Sequence, residues 1–377
     1  MSELRVEVVE IKKVEKHPNA DRLDVCYIEG WTCITQKGAY NVGDKAIYVP
    51  IDSLLSEKLE AHVFPPDSKI TLSKHRVKTI KLRGAISQGI LLHLEDLVDH
   101  GFLQAARRYN VGLDVANELG ITKYEPPIKS TPQGGLKQVK KRDKHPLFQE
   151  YSDISNYKWY PNLFKEGEEV VILEKIHGSN FRATLAPYHA NTWWKKVKKF
   201  FNLAPKYEFC YGSHRVQLQY KKAYNGFYDK NIYLEMVNKY NLESVLEPGQ
   251  AIYGEVYGHG VQKGYAYGCE ENERKLVIFD IKQDGIYLNH IHVKRFCDRN
   301  NLEHVPVEYI GPYQGKEHLC QYVEGKSTLC PAQKIREGIV IKPFIEEHCY
   351  MGRKILKYKS DHFLLLANTD DTQDDFH

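Results

Sequence analysis

The residues best placed to do chemistry lie in the run Val170-Val171-Ile172-Leu173-Glu174-Lys175-Ile176-His177-Gly178-Ser179-Asn180. An apolar stretch ends at a lysine, and a histidine, a glycine and an asparagine follow at fixed offsets. A lysine ammonium has no lone pair to offer at neutral pH. Burial, or a second positive charge nearby, lowers its pKa and frees the amine. Lys175 is therefore a candidate nucleophile at the end of a buried strand.

Other residues become interesting beside it. Lys357 and Lys359 alternate in Lys354-Ile355-Leu356-Lys357-Tyr358-Lys359, so on a strand both side chains face one way. Such a pair can hold a phosphate and depress a neighbouring lysine; alone, it reads equally as a solvated basic edge strand. Glu255 closes Ala251-Ile252-Tyr253-Gly254-Glu255, and Glu337 opens Glu337-Gly338-Ile339-Val340-Ile341. Carboxylates are hard oxygen ligands for Mg²⁺ or Mn²⁺, often through water, and an adjacent glycine lets a ligand approach the backbone. Taken singly, each is an ordinary strand-end glutamate. Phe279, in Val277-Ile278-Phe279-Asp280-Ile281, can stack on a base or simply fill a core. The chain has no G-x-x-x-x-G-K-[ST] and no G-x-G-x-x-G after a strand, so a bound nucleotide would not sit on a P-loop.

The elements that must position these groups fall into two parts. With 377 residues the chain is long for one core, and two domains are expected. The first part is β-rich, with strand candidates at 6–14, 23–28, 46–51 and 90–92 and turn signals between them. This spacing predicts a small barrel. The segment 125–145 mixes proline, glycine and the basic run KQVKKRDK at 137–144, and is expected to be a linker. From residue 146 the pattern is mixed. Strands are predicted at 170–173, 207–211, 251–256, 275–281, 338–341 and 355–358, with helices at 228–240 and 289–299. The acidic stretch 370–375 is expected to fray. A second basic run, KKVKK at 195–199, ordinarily marks a solvated face.

Net charge is +4, so bulk charge alone does not predict a general polyanion binder. The eight cysteines include no C-x-x-C pair, which predicts reduced thiols and no zinc site. No apolar run approaches the length of a membrane span, and no secretory signal opens the chain. A cytoplasmic or otherwise intracellular location is expected.

In order along the chain stand K-x-H-G-x-N at 175–180, Ser213-His214-Arg215, Gly254-Glu255, Phe279-Asp280, Glu337-Gly338 and K-x-K at 357–359. This series resembles the motifs of the covalent nucleotidyltransferases, the ligases and mRNA capping enzymes, over roughly residues 146–362. The K-x-H-G-x-N form, where DNA ligases and capping enzymes usually carry K-x-D-G, resembles the RNA ligases. The resemblance implies that Lys175 is the adenylylated nucleophile and that Lys357 and Lys359 neutralise the α-phosphate. It implies ATP/AMP binding by Glu174, Asn180, Arg215, Glu255, Phe279 and Val340. Phe279 and Val340 would lie on the two faces of adenine, and Asn180 and Arg215 near the ribose, the adenylate and the 5′-phosphate end. Glu255 and Glu337 would hold Mg²⁺ or Mn²⁺ through water. His177 stands where relatives place an aspartate that can hold metal water, so its own metal role is left open.

His17-Pro18-Asn19-Ala20-Asp21-Arg22-Leu23-Asp24-Val25 and Lys81–Leu92 resemble the tRNA-binding oligonucleotide-binding (OB) domain, over about residues 4–95. An OB domain ahead of an RNA-ligase-like domain is similar to the Naegleria- and Deinococcus-type RNA ligases. The expected architecture is a two-domain α/β (α+β) protein: an OB-like β-barrel at 1–124, a linker at 125–145, and at 146–377 a nucleotidyltransferase (ATP-grasp-like ligase) domain of antiparallel sheets flanked by helices. The expected activity is ATP-dependent joining of 3′-hydroxyl and 5′-phosphate ends through lysyl-AMP and RNA-adenylate, at nicks in duplexes with RNA on the 3′-hydroxyl side. Expected partners are ATP and nicked or broken RNA, with the protein a monomer and no membrane involved. Two alternatives are a DNA ligase or capping-type guanylyltransferase, and a non-catalytic OB-domain RNA-binding protein. His177 and the mere 18 residues after Lys359 weigh against the first, and the complete set of charged motif residues against the second.

Overall fold

A computed structural model describes residues 4–65, 68, 71–124, 144–218 and 231–370. Pro66 and Asp67, residues 125–143 of the linker expected at 125–145 with most of its basic run, and the acidic tail beyond 370 lie outside the described residues. Two compact units result. The first holds the chain up to Ile128, then Ser155–Pro161 and the stretch from Asp361; the second holds Lys129–Ile154 and Asn162–Ser360.

The first unit is built from short antiparallel strands. Lys45–Val49 lies between Glu7–Glu10 and Ile90–His93, Leu23–Ile28 lies between Lys13–Lys16 and Trp31–Gln36, and Thr79–Leu82 pairs with Ala85–Gln88. Lys45–Val49 shows why this region reads as β. Its Ile47 and Val49 join one apolar cluster with Val8 and Leu92, while Ala46 and Tyr48 join another with Val9 and Leu91. Side chains alternate across a strand, so a central strand buried on both faces must be apolar at every position. The expected strand at 6–14 is two strands, Glu7–Glu10 and Lys13–Lys16, with different partners.

The second unit carries two sheets. In one, Leu356–Lys359, Gly338–Pro343, Glu169–Glu174 and Val307–Pro312 lie side by side, each antiparallel to the next. In the other, the antiparallel order is Gln217–Leu218, Tyr207–Gly212, Ser179–Pro187, Gln250–Gly258, Arg274–Gln283 and Ile286–Tyr287. A short strand, Glu303–His304, adds a parallel pairing to Arg274–Gln283. Helices Ile232–Lys239 and His290–Arg299 bury Leu234, Met236, Val237, Val293 and Cys297 in a cluster with Phe181, Ala183, Ile252 and Ile278 of this sheet. Both helices begin one residue after an asparagine; Asn231 accepts from the Leu234 N–H, an ordinary N-cap. The architecture is the expected two-domain α+β arrangement, with a β-barrel first and flanked sheets second.

Candidate active site

Glu169–Glu174 is buried at every position after the first, as its β-branched sequence EVVILE requires of a strand paired on both edges. Lys175 follows at once, its backbone N–H donating to the Gly338 carbonyl at 2.9 Å. Its side chain is 26% exposed, and Nζ donates to Glu337 Oε2 at 2.7 Å. Lys359 Nζ lies 3.3 Å from the other oxygen of Glu337, and His177 Nδ1 lies 3.7 Å from Oε2. One buried carboxylate thus gathers two lysines and a histidine. His177 is held from both sides: its N–H donates to Tyr267 Oη at 2.9 Å and its ring meets Tyr265 edge-on at 5.0 Å.

Two glycines in this cluster are required by close approach. A Cβ on Gly178 would collide with the Val256 carbonyl, and one on Gly338, whose φ is +141°, with the Tyr358 carbonyl. The glycines of H-G and E-G therefore let neighbouring backbone close around the lysine.

The electrostatics differ from the simplest expectation. Burial opposes charge on Lys175, but the nearby Glu337 and Glu255 outweigh it, and the pKa lies above the ordinary lysine value. The sequence reading expected a depressed value; the carboxylates supply the reason it is not. Glu337 is held well below the usual range, since Lys175 and Lys359 overcome its burial. Glu255, paired in register with Asn180, is pushed up to about 8, mainly by burial, with the negative charge of Glu337 adding to it.

A pocket of about 140 Å³ opens beside Lys175, lined by Glu174, Asn180, Glu255, Phe279 and Val340 among others. Two buried polar atoms at its wall have no hydrogen-bond partner: Glu174 Oε1 and Asn180 Oδ1. The second oxygen of Glu174 accepts from the Thr328 and Leu329 N–H groups at 2.8 and 3.0 Å, which fixes the carboxylate. Burial raises the Glu174 pKa. Phe279 is half-buried and packs edge-on against Tyr151 at 4.9 Å.

The structure thus brings nine of the anticipated residues together. Glu174, Lys175, Asn180, Glu255, Phe279 and Val340 line the pocket, while Glu337, Lys359 and His177 surround the ammonium. Lys357 sits opposite Val340 in the ladder, on the strand face shared with Lys359. Arg215 is different: it is exposed in the turn after Tyr207–Gly212 and does not line the pocket. Sequence reasoning missed Tyr151, Asp280 and Lys342, which also line it. Lys342 was recoverable, being two residues beyond Val340 on the same strand face. Tyr151 carried no signal, as it lies outside any strand or helix.

The geometry defines a class: a partly buried lysine at the end of a strand, held by a buried carboxylate beside a pocket. Sequence comparison makes it specific. The profile of the RNA ligase family matches residues 168–359, just over half of the chain, and an OB-fold domain profile matches residues 5–94. The chain belongs to the RNA ligase family. Its fold is similar to that of the Naegleria gruberi RNA ligase with PPi, with TM-score 0.72 and 21% identity over 98% of this chain and 99% of that one. A variant of that enzyme with AMP and Mn gives TM-score 0.71 and 21% identity over 95% and 97% of the two chains. The phenylalanine–tRNA ligase beta subunits of Burkholderia pseudomallei and Burkholderia mallei are 33% identical over 135 residues, 34% of this chain. The chain spans 16% of the length of these curated relatives.

Proposed function

We propose that this protein is an ATP-dependent RNA ligase that seals breaks through a lysyl-AMP intermediate on Lys175. The observation that carries the reading is Lys175, held by the Glu337 carboxylate, beside a pocket lined by Glu174, Asn180, Phe279 and Val340. A carboxylate at Glu174 would favour adenine, which presents an amino group, over guanine, which presents a carbonyl oxygen at the same ring position. Phe279 and Val340 line the same pocket and would cover the two ring faces. Asn180 Oδ1, buried and without a hydrogen-bond partner among the described residues, would accept from a ribose hydroxyl.

The chemistry follows in three transfers. The Lys175 amine, once deprotonated, attacks the α-phosphorus of ATP; a P–N bond forms and the P–O bond to pyrophosphate breaks. A 5′-phosphate oxygen of the RNA then attacks the same phosphorus, returning the electron pair to the lysine nitrogen and giving RNA-adenylate. Finally a 3′-hydroxyl attacks the RNA 5′-phosphorus, losing its proton, and AMP leaves with the bond electrons. Lys357 and Lys359 offset the charge on the transferring phosphate. The pocket aligns the attacking and leaving groups.

Glu255 and Glu337 suit a divalent cation: they are close enough for Glu337 to raise the Glu255 pKa, and their oxygens are the hard donors that Mg²⁺ or Mn²⁺ takes. Glu255 and Glu337 would hold such a cation, which would supply positive charge beside the α-phosphate and offset the carboxylate field that keeps Lys175 protonated. His177, tied to Tyr267 and Tyr265, serves to orient this corner of the site.

The test is incubation with α-labelled ATP or GTP and Mg²⁺ or Mn²⁺. Covalent label from ATP, absent in Lys175→Ala, is expected; label from GTP alone would overturn the reading. The substrate is read as a nick with RNA on the 3′-hydroxyl side, and equal sealing of all-DNA nicks would refute that preference.

A further inference from the structure

The helix Trp193–Phe200 has no part in the pocket, yet it carries an unusual surface. Its sequence WWKKVKKF, continued by Phe201, separates into two arcs at about 100° per residue. Trp193, Trp194, Val197, Phe200 and Phe201 fill an arc of roughly 120°, and the four lysines fill the rest. In an ordinary surface helix the apolar arc faces inward. Here it faces out: Trp193, Trp194 and Phe200 are 66%, 69% and 82% exposed. Lys195 is the residue turned inward. Its Nζ donates to the His189 carbonyl and to Glu208 Oε2, both at 3.2 Å, and lies over the Tyr188 ring. Thr192 caps the helix start by accepting from the Lys195 N–H. The cap and the inward lysine fix the orientation, so the outward aromatics are a built feature. An exposed apolar patch of this kind marks an interaction site.

We infer that this helix is a docking surface for the RNA substrate at a distance from the joint, with bases stacking on Trp193, Trp194 and Phe200 and phosphates paired by Lys196, Lys198 and Lys199. The proposal rests on the RNA-ligase reading. Three observations favour RNA. The lysines flank the aromatic arc on both sides, matching a partner with π-faces inside and negative charge outside. The helix has no acidic residue in its first turn to repel phosphate. The pocket accepts only the reacting ends, so the body of the substrate must be held elsewhere. The helix follows the end of strand Ser179–Pro187 opposite to Asn180, and seven residues at about 3.3 Å place that end ~23 Å from the site. It should therefore act on affinity for long substrates and leave nucleotide chemistry alone.

The experiment compares the full-length protein with Trp193→Ser/Trp194→Ser/Phe200→Ser and with Lys196→Glu/Lys199→Glu, using a long and a short nicked RNA duplex. Binding is read by fluorescence anisotropy of the labelled RNA, and AMP transfer by covalent label. Both variants should bind the long duplex about tenfold more weakly, with AMP labelling unchanged and with little change on the short duplex. In the wild type, the long RNA should quench tryptophan emission. Unchanged affinity for long RNA in both variants would overturn the proposal. So would binding to phosphatidylserine vesicles with RNA affinity unaffected by the substitutions, which would assign the patch to a membrane surface. If the wild type takes no label from ATP, the ligase reading fails, while the anisotropy measurement still decides this one.

Discussion

Two clusters in the second unit contain the same ingredients, two cations and two carboxylates, and differ in how they are paired. In the first, Asp280 accepts from Lys342 at 2.5 Å, from Arg353 at 2.7 Å and from Tyr151 at 2.5 Å, and Glu346 accepts from both Lys342 and Arg353. All four charges are buried and mutually bonded. Burial would raise the Asp280 pKa, but Arg353 and Lys342 hold it far below the usual range. In the second, five residues earlier on the Lys342 strand, Glu337 takes both Lys175 and Lys359, and Glu255 forms no ion pair among the described residues. The closed cluster is a clamp beneath the pocket. The lopsided one leaves a carboxylate with a raised pKa and a partly exposed lysine, the arrangement on which the proposed binding of a cation and a phosphate rests.

The contrast predicts opposite responses to substitution. Lys175→Ala should abolish AMP transfer completely while leaving thermal stability close to wild type, measured by label and by melting. Asp280→Asn should cost about 3–5 kcal/mol of stability in a denaturant titration, because it leaves two buried cations facing the single carboxylate of Glu346. A near-neutral Asp280→Asn would mean that the clamp is not what holds the pocket floor. Glu174→Gln, which puts a donor amide near the adenine amino group, should weaken ATP about tenfold in a competition assay and narrow its advantage over GTP.

Acidity separates the clusters further. The folded Asp280 pKa is depressed, so its contribution is present above its unfolded value of about 4 and is lost as pH falls below it. The Glu255 pKa is raised to about 8, so its neutral form favours folding at low pH, and that contribution is lost as pH rises through 8. Glu255→Gln should thus raise the melting temperature by a few degrees at pH 8, with little change near pH 4, while impairing label transfer. The same shift at both pH values would show that Glu255 does not titrate as described.

The open cluster was more legible in the sequence than the closed one. Lys175, Glu255, Glu337 and Lys359 each end or begin a β-prone run beside a fixed motif letter. The strand Ser179–Pro187 was not anticipated, although it carries Asn180. Asn180, Arg182 and Thr184 on its other face are polar, which masks the apolar alternation of Phe181 and Ala183. Asp280, Lys342 and Arg353 lie far apart in the chain, and only tertiary packing pairs them. The raised pKa of Lys175 was likewise invisible, because it depends on how near Glu337 and Glu255 come. The Trp193–Phe200 helix was legible only as a basic run, since its aromatics sit just outside KKVKK.

The most direct test of the central claim is peptide mapping of the protein after incubation with ATP and Mg²⁺. The account predicts AMP linked to the peptide containing Lys175, through an acid-labile P–N bond, and its discharge when a nicked RNA duplex is added. AMP on another residue, or none on a folded protein, would contradict it.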